Sequence, residues 1–347
     1  LCIARFTKFK YVFLTGHHSL FMACLMSAVL GTAGLSGMEL ILVGGFLMGA
    51  WSAISPAIGQ SYTSKVTDGD EIAIGHFGSL GYYLSAWVAK YVGKAEDSTE
   101  DIEIPEKWGF LRDSTLSTAL TMIVFYLIAA FAAGSEFVAT LSGDMSPYLY
   151  AVMSAMNFAV GVTIVYSGVR MILGDLIPAF QGIATKIIPN AIPAVDCAVF
   201  FTYAPTAVVL GFISSFIGGI IGMLILGVVG GVLIIPGLVP HFFCGATAGI
   251  YGNATGGRRG AAVGAFLNGL AITFLPALAL PVLGQLGFQN TTFGDADFAV
   301  MGLVLGNAFE WIGMAGIYGI VVIAALVLIV PNFIKTKGKV INYVEED

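Results

Sequence analysis

Charged and apolar positions in this chain are separated into long blocks. No Asp, Glu, Lys or Arg occurs in residues 11–38, 40–64, 114–135, 145–169 or 260–294, and the longest charge-free run is 197–257. A helix needs about 20 apolar residues to cross the hydrocarbon of a bilayer, so blocks of this length imply on the order of seven crossings. The spans fall at 11–35, 39–59, 114–138, 147–170, 193–217, 218–236, 260–284 and 311–331. A membrane β-barrel would instead show segments of about ten alternating residues. The fold class expected is therefore an all-α polytopic membrane protein.

Two segments fit neither a span nor a soluble loop: 60–92, with its polar QSYTSKVTDGDEIAIGHFGS start, and 236–260, PGLVPHFFCGATAGIYGNATGGRRG. Irregular backbone at membrane depth is tolerated only where protein buries it or water fills a cavity beside it. Both segments are therefore expected to be re-entrant hairpins. In each half a span that opens on a polar interruption, LTGHH at 14–18 or AVDCA at 194–198, is followed by another span and then the hairpin, which makes a weak internal repeat. Broken helices meeting at the midplane are how many transporters build a solute site. Pairs such as Gly218/Gly222 and Gly227/Gly231 allow close helix approach.

Composition sharpens this picture. The chain is 57% hydrophobic and only 10% charged, against about 25% charged in a soluble domain. The net charge of −6 does not suggest a nucleic-acid partner. It comes largely from the one long polar stretch, 93–113 (GKAEDSTEDIEIPEKWGFLRD), expected to be an extramembranous loop with a short amphipathic helix. By the positive-inside rule, Lys335, Lys337 and Lys339 place the C-terminal tail in the cytoplasm. Arg5, Lys8, Lys10, Lys90, Lys94, Lys107 and Arg112 put the start and the acidic loop on the same side. The connections holding Glu39, Glu136, Asp144, Asp295 and Asp297 carry no Lys or Arg and are expected outside. Cys2, Cys24, Cys197 and Cys244 have no metal or disulfide spacing and are expected to be packing residues.

Candidate chemistry is confined to a few residues. His17, His18, His76 and His241 all lie in embedded or re-entrant stretches, and Asp196 is the sole acid between Asp175 and Asp295. An ionisable residue at that depth is costly and marks a pathway or a partner, which singles out His17, His76 and Asp196. His18 and His241 are expected nearer the interface. There is no HExxH, GxSxG or Walker lysine, so no enzyme chemistry, metal or cofactor is called for. Asn253-Ala-Thr255 and Asn290-Thr-Thr292 match glycosylation sequons, neither of them expected to be modified. Arg258-Arg259 reads as a boundary anchor.

The strings LTGHH (14–18), KVTDGDEIAIGHFG (65–78), LRDSTLSTALTMIVFY (111–126), GVRMILGDLIPAFQGI (168–183), IPNAIPAVDCAVFFTYAP (188–205) and FFCGATAGIYGNATGGRRGA (242–261) resemble the ascorbate-type membrane IIC component of the bacterial sugar phosphotransferase system. The likeness runs in order along essentially the whole chain. It implies a homodimer in the cytoplasmic membrane, each protomer pairing a core domain with a V-shaped scaffold related internally by inverted repeats. It implies a polar sugar or lactone, L-ascorbate or close to it, carried by core movement. A cytosolic IIB partner, served in turn by IIA, would phosphorylate the solute from a phosphocysteine. About three spans, with a tyrosine near the sugar, are expected ahead of Leu1.

The resemblance also assigns sugar contacts to His17, His76 and Asp196. Phe21 and Phe77 stand where the family has Gln, one turn after the first His and directly after the second. Both are candidate solute contacts, joined by Asn253 in the second hairpin. The domain layout then reads 1–92 first core half, 93–113 acidic loop, 114–170 scaffold pair, 171–297 second core half, 298–334 last span and 335–347 cytoplasmic tail. Segment 171–192 stays interfacial if every Lys and Arg is inside, and crosses if the halves are inverted; the resemblance favours crossing. A proton- or ion-coupled secondary transporter, with His17, His76 and Asp196 as proton carriers, is the alternative. A channel is disfavoured because the polar clusters are isolated.

Overall fold

The computed structural model describes residues 1–69, 71–103, 114–285 and 293–333, apart from some side chains between 166 and 185. The lysines of the C-terminal tail, Lys107, Arg112 and the sequon at Asn290 lie outside the described residues. In chain order the helices are α1 (Cys2–Phe6), α2 (Gly16–Thr32), α3 (Gly37–Thr67), α4 (Ser79–Val92), α5 (Ser114–Ala133), α6 (Ser135–Ser142), α7 (Pro147–Lys186), α8 (Cys197–Phe200), α9 (Pro205–Val228), α10 (Leu238–Gln285), α11 (Ala296–Ile312) and α12 (Met314–Ile329). Three short strands, β1 (Tyr11–Phe13), β2 (Ala73–Ile74) and β3 (Ile192–Val195), and two 3-10 turns, Thr99–Asp101 and Val330–Phe333, complete the described elements. Among the described residues, six helical stretches are long and apolar enough to cross a membrane, lying in α3, α5, α7, α9 and α10 and running from α12 on to Phe333.

Two compact units emerge, Leu1–Thr99 with Ile177–Asp347, and Glu100–Leu176. In the smaller unit Ala130, Val138 and Ala151 form the buried centre, with Tyr126, Leu127 and Tyr150 packed against it. Its outward side chains, Val124, Ile128, Phe131 and Ile164, are exposed and apolar, the composition expected of a surface bathed in lipid. In the larger unit the main core gathers Met22, Leu25, Met26 and Leu30 of α2 with Leu283, Phe298, Leu305 and Ile317.

Several boundaries differ from the sequence reading. The expected spans 193–217 and 218–236 are replaced by a strand, a short helix and the single helix α9, because Pro205 restarts the chain as a helix and Gly230, at φ 71°, ends it. The separate hairpin 236–260 and span 260–284 are two arms of α10, with the reversal at Gly256 and Gly257. Gly257 has φ 58°, a conformation that costs an L side chain but not glycine. The reversal brings the backbones of Gly252 and Gly260 into contact, whereas eight residues along a straight helix span about 12 Å. In the first half, α3 continues to Thr67, well past the expected end at 59, and the expected last span is preceded by α11, which the sequence reading missed. Residues 171–186 are helical, continuing α7.

Helices α4 and α9 each pack against both arms of α10. Ser215 of α9 meets Gly245 and Gly269, while α4 meets the first arm where the Ser85 hydroxyl donates to Ala248 O at 2.6 Å and the second at Gly260 and Gly264. A Cβ on Gly249 would lie 2.6 Å from the Ala207 carbonyl oxygen and 2.6 Å from Gly211 Cα. Backbone cannot swing aside as a side chain can. Gly249→Ala is therefore expected to cost about 1–3 kcal/mol through overpacking. Gly45→Ala, in α3 with nothing within 4 Å, should be neutral or slightly stabilising. Thermal unfolding of the two variants in detergent checks the contrast, and equal losses would overturn it.

Candidate functional site

The three strands form one parallel sheet in the order β1-β3-β2, with Tyr11 opposite Ile192, Phe13 opposite Ala194 and Ala73 also opposite Ala194. They are short apolar runs bounded by Gly, Pro and polar residues, and β3 is buried along its whole length, as a central parallel strand should be. Because they run the same way, their carboxyl ends share an edge. Beyond β1 come Thr15, Gly16, His17 and His18; beyond β2, Gly75, His76 and Phe77; beyond β3, Asp196 and Cys197. The ladder continues into these residues. Leu14 N–H donates to Ala194 O at 2.9 Å, Gly75 N–H to Val195 O at 2.7 Å, and the Thr15 hydroxyl to Gly75 O.

At that edge His17 Nε2 lies 3.5 Å from Asp196 Oδ2, with the His17 side chain 61% and the Asp196 side chain 24% exposed. Asp196 also caps α8, its Oδ1 accepting Ala198 N–H at 3.0 Å. Behind them the His18 and His76 rings lie 3.8 Å apart between centroids. Asp295 Oδ2 sits 3.7 Å from His18 Nε2 and 3.9 Å from His76 Nδ1, and its Oδ1 accepts Cys244 Sγ–H at 3.0 Å.

Backbone donors orient both inner rings. Phe77 N–H donates to His18 Nδ1 at 3.4 Å, and Gly78 N–H donates to His76 Nδ1 at 3.2 Å; the Tyr82 hydroxyl also contacts His76 Nδ1, at 2.7 Å. A main-chain N–H can only donate, so Nδ1 holds the lone pair and Nε2 the hydrogen in each neutral ring. Both rings therefore present N–H donors to the site. His18, His76 and Asp295 bring potential ligand atoms within 4.8 Å of one another, as do His76, Asp196 and Cys197. A metal bound at His18 Nε2 would force Nδ1–H against Phe77 N–H, so the arrangement suits hydrogen bonding to a polar solute better than ligation.

The fold brings together His17, His76 and Asp196. The other candidates lie elsewhere or differently. Phe77 is fully buried, its ring stacked on Phe13 at 4.6 Å and edge-on to Phe298 at 5.5 Å, whereas Phe21 is 53% exposed. Asn253 ties down the first part of the acidic loop, accepting Thr99 N–H at 2.8 Å and donating to Ser98 Oγ at 3.1 Å. His18 and His241, expected near the interface, are both buried, and His241 Nδ1 pairs with Ser215 Oγ at 2.9 Å. Asp295 and Asp297, expected in an outer connection, turn into the interior because Cys244, Ser79, Trp51 and a backbone N–H supply hydrogen bonds there. Cys244, read as packing alone, is a donor to Asp295.

Sequence reasoning thus missed His18, Asp295, Cys244 and Tyr82. The adjacent histidines and two acids closing a charge-free stretch were the available signals, but neither says which side chain points inward. The burial difference between the two phenylalanines gives a testable contrast. Phe77→Gln should lose about 3 kcal/mol, since a polar amide replaces packed apolar volume. Phe21→Gln should stay within about 1 kcal/mol of the parent. Thermal melts in detergent separate them, and equal stability would show that Phe77 is not a core residue.

A model of the EIIC-GAT family, described as the PTS system sugar-specific permease component, matches residues 1–297. The chain belongs to this family. The Ascorbate-specific PTS system EIIC component of Mycoplasma pneumoniae is 27% identical over 297 residues, covering 73% of this chain and 44% of that protein. The chain therefore spans less than half the length of that relative. The cluster sets N–H donors and carboxylate acceptors side by side. The chain is that of a multi-pass membrane protein.

Proposed function

We propose that this chain carries the solute-binding core of a phosphotransferase-system permease that moves L-ascorbate, or a closely related sugar or lactone, across the bacterial cytoplasmic membrane. On this reading the solute is presented to a cytosolic IIB protein, itself charged by IIA, for phosphorylation. No covalent step falls to a residue of this chain. The observation that carries the reading is the meeting of His17, His76 and Asp196 at the carboxyl edge of one parallel sheet in a chain of the permease family. The ascorbate specificity in the name of the Mycoplasma relative supports ascorbate as the solute. Phe21 and Phe77 bear on how the solute is held: the buried Phe77 leaves hydrogen bonding to the histidines and the carboxylates.

Several features belong to the same proposal. The stretch from the end of α3 through α4 and the first arm of α10 act as re-entrant elements around the site, the two halves are related as inverted repeats with 171–192 crossing, and the C-terminal tail lies in the cytoplasm. Two copies assemble as a dimer.

The test is the chemical form of the solute after uptake. Cells making the full-length permease with its IIA and IIB partners are given radiolabelled L-ascorbate, and the intracellular label is separated by charge. Phosphorylated label on entry is the expected result. Unmodified label whose uptake depends on external pH would instead establish a proton-coupled transporter, and unmodified label equilibrating passively would establish a channel.

A further inference from the structure

We infer that Asp295 and His18 form a second hydroxyl-recognising pair beside His17–Asp196, so that the site discriminates among solutes by a hydroxyl that reaches this inner pair. The inference rests on the functional reading above and adds residues that the sequence left out of the site.

The two pairs are built alike. In each, an imidazole Nε2 stands close to a carboxylate Oδ2 without a short hydrogen bond, at 3.5 Å for His17–Asp196 and 3.7 Å for His18–Asp295. A ring N–H offers only a donor and a carboxylate only acceptors, while a hydroxyl does both at once. A hydroxyl oxygen placed about 2.8 Å from each atom would accept from the ring and donate to the carboxylate. It would give each group the partner that the pair, as spaced, does not supply. For His18 the donor role is set by Phe77 N–H on Nδ1.

Asp295 and Asp297 make the case by contrast. Asp297 has no exposure, and its two oxygens already accept from Trp51, Ser79 and Leu80. It is a structural group. Asp295, two residues earlier, keeps 16% of its side chain exposed. Its Oδ1 is occupied by Cys244, but among the described residues its Oδ2 meets only the two imidazoles, at 3.7 and 3.9 Å. A nearly buried carboxylate oxygen left without a close donor is costly, and a solute hydroxyl would remove that cost. The saturated Asp297 holds the start of α11, and with it Asp295, against the first turn of α4. The pair also sits against His76, which faces Asp196 on its other flank, so the two pairs border one continuous site.

The test compares analogues across variants in the full-length protein purified in detergent. Binding of L-ascorbate, 5-deoxy-L-ascorbate and 6-deoxy-L-ascorbate is measured by calorimetry for the parent and for Asp295→Ala, His18→Ala and Asp196→Asn. In the parent, the deoxy compound lacking the hydroxyl that reaches the pair should bind about tenfold more weakly than L-ascorbate. In Asp295→Ala and His18→Ala that penalty should fall to within about twofold, while the penalty for the other analogue is unchanged. A purely structural role for Asp295 would weaken all three ligands in proportion and leave both ratios as in the parent. That result overturns the inference alone, as does a parent indifferent to both deletions, because loss of binding in Asp196→Asn still reports on the broader reading. A folded parent that binds none of the three compounds overturns the functional reading and the inference with it. Should Asp295→Ala fail to fold, Asp295→Asn keeps the side-chain volume and carries the same comparison.

Discussion

Asp196→Asn protein is expected to fold like its parent and to bind the solute roughly 10- to 150-fold more weakly. The substitution isolates one interaction. Oδ1 of Asp196 caps α8 by accepting Ala198 N–H at 3.0 Å, and asparagine is as good a cap as aspartate. What changes is Oδ2, which faces His17 Nε2 at 3.5 Å and can take up a solute hydroxyl. The loss of a hydrogen bond to a charged group is worth about 1.5–3 kcal/mol, which is the stated range in affinity. Titration of L-ascorbate into the purified full-length variant, beside a thermal melt, decides the matter. Parental affinity in a folded Asp196→Asn protein would remove Asp196 from the site. Parental affinity together with a lowered melting temperature would give the Asp196 charge a structural role alone.

The largest loss of stability is expected from Asp297→Ala, about 3–5 kcal/mol. Asp297 is fully buried, and its carboxyl group accepts Trp51 Nε1–H at 3.0 Å, Ser79 Oγ–H at 2.8 Å and Leu80 N–H at 3.0 Å. Its own N–H donates to Phe77 O at 2.9 Å. One side chain thus ties α11 to α3 and to the first turn of α4, where Gly78 offers no side-chain cap and the backbone N–H groups need an acceptor from elsewhere. Alanine leaves one buried donor and two partly buried ones without this partner, at up to about 1–3 kcal/mol each before relaxation. Asp297→Asn keeps one acceptor oxygen and should lose less. Because Phe77 and His76 stand directly before α4, surviving Asp297→Ala protein should also bind solute poorly. Unfolding in detergent measures the first effect, and an alanine variant within about 1 kcal/mol of the parent would show that these hydrogen bonds are not structural.

The membrane-helical class could be read from the sequence because hydropathy is local: a charge-free run such as 197–257 excludes a soluble helix wherever the chain goes next. His17, His76 and Asp196 were legible for a related reason. An ionisable group in an apolar run needs a partner, whatever that partner turns out to be. The partner itself could not be read. Strands of two to four residues are too short to show a period, and they exist because Ala194 receives β1 on one side and β2 on the other from segments far apart in the chain.

The same holds for the turn in α10, which depends on Gly257 lying against the Lys94 and Asp97 carbonyl oxygens, and for the choice of His18 over His241 beside Asp295. Whether Asp295 and Asp297 lie outside or inside is set by the donors that meet them, Cys244 from α10, Trp51 from α3 and Ser79 and Leu80 from α4. What the sequence by itself determined is which residues must be buried with company. Which residues keep that company was decided by tertiary structure, since the free energy of a buried polar group depends on partners that only the folded chain assembles.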